Sequence, residues 1–340
     1  MGNQLSFGGK NIVFSGDFRQ IPPVIKYGSK AEILSSSIKF SEVWKHLEIL
    51  HLSVSQRSIN DPSYSEFLLK VGEGKIQETL CKDETLICLN FPNLKIFHSI
   101  EDVIDFIYPQ DDLQNFCELS KRCILSPTNK NINQINRVII KERIPGEEIY
   151  LYSADTAIIE EKGRESIVNP DSTYLCADFL NKLNEPGVPE HKITVKIGAI
   201  CILLRNLNFE EGLVNGTKVV IKTVKKFIIE VCLPENENKT FLIPRISFKF
   251  SAGDTGVQIL RRQFPIKLAY ALTINKAQGQ TLNLAAIDLR DHVFAHGQLY
   301  VALSRVRSSK NICILTSQSK VSEDNGIYTA NPVFHELLLT

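Results

Sequence analysis

RRQFPIKLAYALTINKAQGQTL (261–282) decides how the rest of the chain is read. Its centre, IKLAYALTI, is a mostly apolar, strand-like run, which predicts a buried strand. The run ends in Thr273, Asn275, Lys276, Gln278 and Gly279, a set of phosphate-contacting residue types with no carboxylate among them. A buried strand that delivers polar side chains at its carboxyl end is how open parallel sheets hold ligands. Downstream, AAIDL reads as a strand, HGQLYVALSR as a helix and NICILTS as a last strand.

Working back toward the start, the same alternation holds. NIVFS (11–15) predicts a buried strand that breaks into the polar turn GDFRQ, with Pro22 and Pro23 barring a helix. FSEVWKHLE (40–48) sets Phe40, Val43, Trp44 and Leu47 on one helical face, and ILHLSV (49–54) predicts a strand ending at Gln56 and Arg57. PSYSEFLLKV (62–71) predicts a helix with Pro62 in its first turn and Gly72 as its stop. IEDVIDFI (100–107) predicts a second helix, CILS (123–126) a strand and TNKNINQINRVIIK (128–141) a helix started by Thr128. Strands alternating with helices predict an α/β layered fold around a mainly parallel sheet.

The texture changes in the middle. Residues 145–192 are polar and weakly periodic, and four strand-like runs follow: KIGAICILL (196–204), TKVVIKTV (217–224), KFIIEVCL (226–233) and TFLIPRISF (240–248). Asn215-Gly216 between the first two reads as a two-residue hairpin turn. Residues 195–250 therefore look like a small barrel-like β module inserted into the α/β chain.

A length of 340 residues suggests about two domains, and 43% hydrophobic with 23% charged residues excludes a disordered chain or a rod. The formal net charge is only +1. Residues 255–310 nevertheless hold eight basic residues against two acidic ones, a local +6 that suits a nucleic-acid backbone. No run of 18 apolar residues is present and no apolar signal region opens the sequence, so no membrane partner is expected. The start does match M-G-x-x-x-S, the pattern for acylation of Gly2, with Ser6 in place. The eight cysteines form no C-x-x-C and read as reduced thiols of an intracellular protein. The histidines show no metal-binding spacing, so no metal site is expected.

Three polar sites are candidates for chemistry. Asp17, Arg19 and Gln20 would project from a strand end, where a Gln can hydrogen-bond phosphate or water without adding charge. Arg57, just beyond an apolar run, could fork onto a phosphate. In GQLYVALSRVRS (297–308), Leu299, Ala302, Leu303 and Val306 share one helical face and Arg305 lies off it, free to act as an arginine finger. Gly72-Glu73-Gly74-Lys75 lacks a preceding strand and reads as a helix C-cap.

With these motifs in this order, the chain resembles the Pif (petite integration frequency) family of DNA helicases, in particular the branch carried by Helitron transposons. FGGKNIVFSGDFRQIPPV is similar to helicase motif III, HLSVSQRSINDPSYSEFLLKVGEG to motif IV, LAYALTINKAQGQTL to motif V and HGQLYVALSRVRS to motif VI. Motif IV departs from the family's usual Asn-Met-Arg, having Ser55-Gln56-Arg57 instead. KIGAICILLRNLNFEEGLVNGTKVVI is similar to the segment leading into the family's SH3-like barrel.

The resemblance implies RecA-like P-loop helicase domains with a small SH3-like insertion. The expected layout is 1–48 as the end of a first RecA-like domain and 49–145 as the first part of a second. The inserted β module then takes 146–254, the rest of the second domain 255–325, and a tail 326–340. It implies ATP and Mg2+ as cofactors, single-stranded DNA and DNA junctions as partners, and 5′-to-3′ unwinding. Gln20, Arg57 and Arg305 would be catalytic and, with Gln278 and Gly279, would bind ATP. Thr273, Asn275, Lys276, Asn215 and Gly216 would contact DNA. Gly2 falls in a stretch similar to internal family sequence, which argues against acylation.

The 340 residues contain no G-x-x-x-x-G-K-[ST] loop and no apolar strand ending in Asp-Glu. The expectation is therefore a carboxyl-terminal helicase part, inactive alone, in which the main Mg2+ ligands are missing. The alternative is a non-catalytic single-strand-binding remnant, and a third reading is a RecD-like motor subunit. By resemblance the setting is intracellular, nuclear or mitochondrial.

Overall fold

The computed structural model describes residues 6–25, 27–52, 54–81, 84–161, 164–167, 177–251 and 257–339. Gly2 and Cys176 lie outside the described residues. Five short apolar segments pair in parallel, in the spatial order Ala271–Thr273, Arg122–Ser126, Leu284–Asp288, Ile312–Leu315 and Lys95–Phe97. All four residues of Ile312–Leu315 are buried, and so are four of the five in Arg122–Ser126, as expected where helices cover both faces. The helix Ile100–Ile107 starts at Ser99, whose hydroxyl accepts from the Glu101 and Asp102 amides. The helix Asn129–Val138 starts at Thr128, which accepts from the Asn131 amide. Asn136 of that helix pairs both its amide atoms with the backbone of Ala271, at 3.0 Å each, and so protects the edge strand. The predicted parallel α/β layer is present.

The middle of the chain folds into antiparallel sheets. One runs Asn236–Pro244, Ile228–Leu233, Lys218–Val224, Ile200–Leu203, Ile266–Leu268. A second runs Ile246–Ser251, Gln258–Gln263, Ala154–Glu161, Arg164–Ile167. Two expectations change here. Lys218 pairs with Ile202, so the first hairpin is closed by a long loop and Asn215-Gly216 is the bend that re-enters the strand, with Gly216 at φ +94°. The two-residue turn is instead Pro234-Glu235, between paired Leu233 and Asn236. The β module also outruns the expected boundary at 254, because Gln258–Gln263 and Ile266–Leu268 both pair within it.

The run IKLAYALTI is therefore two strands in two sheets, with Ala269 and Tyr270 as the crossover. Tyr270 is buried, and its hydroxyl accepts from the Ile200 amide at 3.0 Å. Its carbonyl accepts from the Tyr108 hydroxyl at 2.7 Å, and the two rings meet edge to face. One continuous apolar core runs through both sheets.

The two other predicted strands do not form. Residues 11–15 and 49–52 form no strand and have no sheet partner among the described residues, and they expose Val13, Leu50 and Leu52 almost fully. An apolar run becomes a strand only beside a neighbour that takes its backbone hydrogen bonds. The stretch 40–48 forms no continuous helix: Phe40 ends the 3-10 turn Ile38–Phe40 and a second 3-10 turn, Glu42–His46, follows, neither with a buried residue. The predicted helix is present as Pro62–Gly72, but Glu73 caps it and Gly74, at φ +66°, turns the chain away. The final segment supplies a strand, Ile327–Thr329, on Glu84–Leu89. The described cysteines whose side chains are placed are free thiols.

Two docking contacts gather the polar loops. Asp61 caps the helix Pro62–Gly72 at the Tyr64 amide and also accepts from the Ser308 hydroxyl and from the amide and hydroxyl of Ser309, at 2.8–3.0 Å. The Tyr64 hydroxyl donates to the Leu303 carbonyl. On the other side, the turn 17–20 rests on Gly297. A Cβ there would lie 2.5 Å from the Arg19 carbonyl oxygen and 2.6 Å from the Gln20 carbonyl carbon, and Gly297 sits at φ +73°.

Burial works to raise the Asp61 pKa, but the donors from Ser309, Ser308 and Tyr64 outweigh it and hold the carboxylate at about 2. Its stabilising contribution is therefore fully present above the ordinary aspartate pKa and is lost as pH falls toward 2. Asp61→Ala is expected to cost about 2–3 kcal/mol at neutral pH by denaturant unfolding. The gap to the parent narrows between about pH 4 and pH 2; a pH-independent gap refutes the assignment. Gly297→Ala is expected to cost about 2 kcal/mol or more, from the left-handed backbone and the collision with the turn. Hydrogen exchange at Phe18–Gln20 amides rises in that variant if the docking is as described.

Candidate functional site

Gln56, Arg57, Ile59, Asn60, Thr281 and Arg307 line a cleft of about 600 Å3. Arg57 donates from Nε to the Thr281 hydroxyl at 3.3 Å and from Nη1 to the Ser304 carbonyl at 2.8 Å. A guanidinium has five N–H groups, so three of its donors stay available to the cleft. Behind it lies Arg305, only 1% exposed. Its Nε donates to the Val301 carbonyl at 2.7 Å, its Nη1 to the Gln280 carbonyl at 3.1 Å and the Ala277 carbonyl at 3.5 Å, and its Nη2 to the Ser304 hydroxyl at 2.7 Å. One N–H remains. Burial, then the charge of Arg57, pull the Arg305 pKa down to about 10, which still leaves it charged at neutral pH. Among the described residues, Arg57, Arg305 and Arg307 have no carboxylate partner. Such a set of cations is a site for a polyanion.

The turn that receives Arg305 comes from the end of the parallel strand. Thr273 caps the short helix Ile274–Ala277, accepting from the Lys276 amide. Gly279, at φ +83°, reverses the chain, and the Gln280 carbonyl lies back on Arg305. Gln278 and Gly279 are exposed at that reversal. Asn275 accepts through Oδ1 from Gln298 Nε2 at 3.1 Å, and Gln298 Oε1 accepts from the Phe294 and Ala295 amides. Lys276 reaches solvent from a crowded surface. That crowding first, and the charge of Lys267 second, hold its ammonium below the usual lysine range.

Gln20 enters the same neighbourhood through Asp17. Its Nε2 donates weakly to Asp17 Oδ2 at 3.4 Å, and the Tyr300 hydroxyl donates to the same oxygen at 3.0 Å. Arg19 pairs with Glu73 at 2.6 Å, and His296 Nε2 lies 2.8 Å from the Phe18 carbonyl. The charge of Asp17 is felt at Arg305. The structure thus brings Gln20, Arg57, Arg305, Gln278 and Gly279 into one region, and Thr273, Asn275 and Lys276 onto its rim. Asn215-Gly216 is exposed, and a second cleft of about 320 Å3 joins Gly216 to Gln280 and Thr281.

Two sequence expectations are corrected. Arg305 does not project from the helix Gln298–Leu303; it turns inward onto carbonyls. The +6 stretch is also not one basic stripe. Arg261 is fully buried against Asp155, and Arg290 chelates Asp288 with two donors at 2.8 Å. The cations left at the surface include Arg262, Lys276, Arg307 and Lys310. Asp61, Glu73, Tyr300 and Arg307 were missed as site residues. Arg307 alone had a signal, two positions beyond Arg305. The roles of Asp61 and Glu73 as acceptors and of Tyr300 as a donor are legible only from contacts 54 to 283 residues apart in sequence.

The donor set fits phosphate. It does not fit a metal: among the described residues no three His, Cys, Asp or Glu side chains form a group able to hold an ion. No described helix is long and apolar enough to cross a membrane.

Comparisons with known proteins agree with this geometry. Residues 1–82 match the family model for PIF1-like helicases, and residues 178–224 match the 2B domain of DNA helicase Pif1. The ATP-dependent DNA helicase Pif1 of Campylobacter jejuni is 31% identical over 339 residues, an alignment covering 96% of this chain and 66% of that protein. The ATP-dependent DNA helicase PIF1 of Danio rerio is 26% identical, over 94% of this chain and 43% of that protein. The chain thus spans about two fifths to just under two thirds of the length of these relatives. Among solved structures, the Pif1 helicase of Candida albicans superposes with a TM-score of 0.60 at 23% identity, over 99% of this chain and 68% of that one. Bacteroides Pif1 bound to single-stranded DNA superposes at 0.58 and 20% identity, over 91% of this chain and 62% of that one. These superpositions identify the parallel layer as RecA-like; the sequence matches, to the two family models and to the Campylobacter jejuni relative, are what show that the chain belongs to the PIF1-like helicase family.

Proposed function

We propose that the chain is the part of an ATP-dependent DNA helicase that senses the terminal phosphate and grips single-stranded DNA. One observation carries the reading: Arg57 and Arg305 stand side by side without a carboxylate, against the turn that follows Thr273, Asn275 and Lys276. A bound nucleotide would supply a terminal phosphate whose growing charge is neutralised as its bond breaks. Arg57 would direct its spare donors at the phosphate oxygens, and Arg305 would add its single free N–H and its field. Gln20, tethered to Asp17, would offer its amide to phosphate or water. Gln278 and Gly279 would relate this end of the cleft to Thr273, Asn275 and Lys276 on the DNA side, with the bend at Asn215-Gly216 covering the strand.

The wider reading, 5′-to-3′ unwinding of DNA and its junctions in repair, recombination, telomere maintenance or transposon replication, in nucleus or mitochondrion, rests on the family. So does Mg2+, for which the described residues offer no ligand group, and no step is routed through it. The 340 residues hold no phosphate-cradling loop. That favours, for the polypeptide alone, strand binding without catalysis.

The polypeptide is accordingly expected to show no ATP turnover with single-stranded DNA; measurable turnover refutes this. Millimolar pyrophosphate is expected to raise the melting temperature of the parent by about 2 °C and to leave Arg57→Ala unmoved. An equal rise in both would remove Arg57 from the phosphate site. Arg57 is the cleaner probe, since Arg305→Ala also strips four acceptors of their donor. Lys276→Ala is expected to weaken binding of a fluorescent oligothymidylate and to lower the salt slope by about 1; an unchanged slope means Lys276 touches no phosphate.

A further inference from the structure

The two-stranded ribbon Ile149–Tyr152 and Lys192–Val195 has two unlike faces. Leu151, Ile193 and Val195 are turned into the core. On the outer face stand Tyr150 and Tyr152, 47% and 52% exposed. Lys192, paired opposite Tyr152, lays its Nζ 3.9 Å from the Tyr150 ring centre and 5.9 Å from that of Tyr152. His191 tilts against Tyr152 at 5.7 Å. Arg245 donates to the Tyr152 carbonyl at 2.6 Å and more weakly to the Lys226 carbonyl, so Lys226 and the two-thirds-exposed Phe227 continue the surface. Arg262 lies within electrostatic reach of Arg245. Among the described residues, Lys192, Lys226, Arg245 and Arg262 have no carboxylate partner. The acid on this face, Glu148, accepts from the Tyr150 hydroxyl at 2.7 Å.

We infer that the Tyr150–Tyr152–Lys192 face is a stacking platform for bases of single-stranded nucleic acid. Exposed aromatic rings interleaved with unpaired cations match the two halves of such a ligand, flat bases and a charged backbone. Same-face residues of a strand lie roughly 7 Å apart, about twice the 3.4 Å step of stacked duplex bases. The rings therefore accept splayed bases and not a duplex. Lys192, on its flexible stem, reaches the phosphate beside a base stacked on either ring. This inference rests on the nucleic-acid reading above and adds to it a second contact region, away from the phosphate cleft.

The test is fluorescence anisotropy of labelled oligothymidylate with the full 340-residue chain. The Tyr150→Ala/Tyr152→Ala pair is expected to weaken binding about 10- to 100-fold, while Tyr150→Phe/Tyr152→Phe, which keeps the rings, stays within about twofold of the parent. Circular dichroism establishes that both pairs fold. Ultraviolet crosslinking of the parent to the oligonucleotide is expected at the peptide carrying Tyr150 and Tyr152. Parental affinity in the alanine pair, or crosslinks only elsewhere, overturns the platform while Lys276→Ala still weakens binding and sustains the nucleic-acid reading. Preference of the parent for duplex over single strand overturns the platform too. A parent that binds no oligonucleotide overturns both.

Discussion

A buried guanidinium with no carboxylate beside it sets the terms for this site. Removing a charge from water is tolerated only where polar atoms replace the lost hydration. Arg305 meets that condition with the Val301, Ala277 and Gln280 carbonyls and the Ser304 hydroxyl. The demand for acceptors explains the local chain path. Gly279 must reverse the backbone after Ile274–Ala277 if the Gln280 carbonyl is to lie on Arg305. Thr281 is then delivered to Arg57. Leu282 is held as well, its amide donating to the Arg305 carbonyl at 2.8 Å before the strand Leu284–Asp288 begins. A carboxylate in place of these carbonyls would satisfy Arg305 and cancel its charge. Carbonyls satisfy it and leave the positive field for a ligand.

The second constraint is the two-residue crossover at Ala269 and Tyr270. The strand Ile266–Leu268 belongs to the antiparallel sheet and Ala271–Thr273 to the parallel one. Tyr270 ties the joint down, accepting from Ile200 in the first sheet and from Tyr108 beside the second. With so little chain between them and one shared core, the β module has no linker about which to swing freely. The rim residues Thr273, Asn275 and Lys276 therefore follow within about six residues of the crossover that ties them to the module.

Much of this was legible in the sequence, and what was not has physical causes. The helix start at Thr128 was readable because a cap is local, satisfying an amide three residues on; Asp61 and Ser99 cap in the same way but were not read. Four of the five parallel strands were readable because burial on both faces leaves apolar runs; the edge strand Lys95–Phe97, with no fully buried residue, was not. NIVFS and ILHLSV carry the same signal without the same outcome, since composition records that a segment could be buried and not whether a neighbouring strand exists. The single run 266–274 hid a change of sheet because both sheets demand the same apolar character. The arginines were legible as functional types, but their roles were not: Arg261, Arg290 and Arg305 look alike in sequence and differ by their partners, a buried aspartate, an adjacent aspartate and a set of carbonyls.

That difference in partners separates the two arginines at the cleft. Arg305 has committed four of its five N–H groups to acceptors fixed by the backbone, so its position is set by the fold and any substitution there disturbs the turn as well as the charge. Arg57 has committed two, one of them to a hydroxyl at 3.3 Å, and its neighbours in 49–56 make no sheet among the described residues. The two like charges repel, as the depressed pKa of Arg305 records, after the larger effect of burial. An anion between them removes that repulsion and meets the free donors of the arginine best able to move. Arg305 is thus the fixed electrode of the cleft and Arg57 the adjustable one; on the proposed reading, discrimination between nucleotide states would fall on Arg57, because a rigid group presents the same field to every occupant.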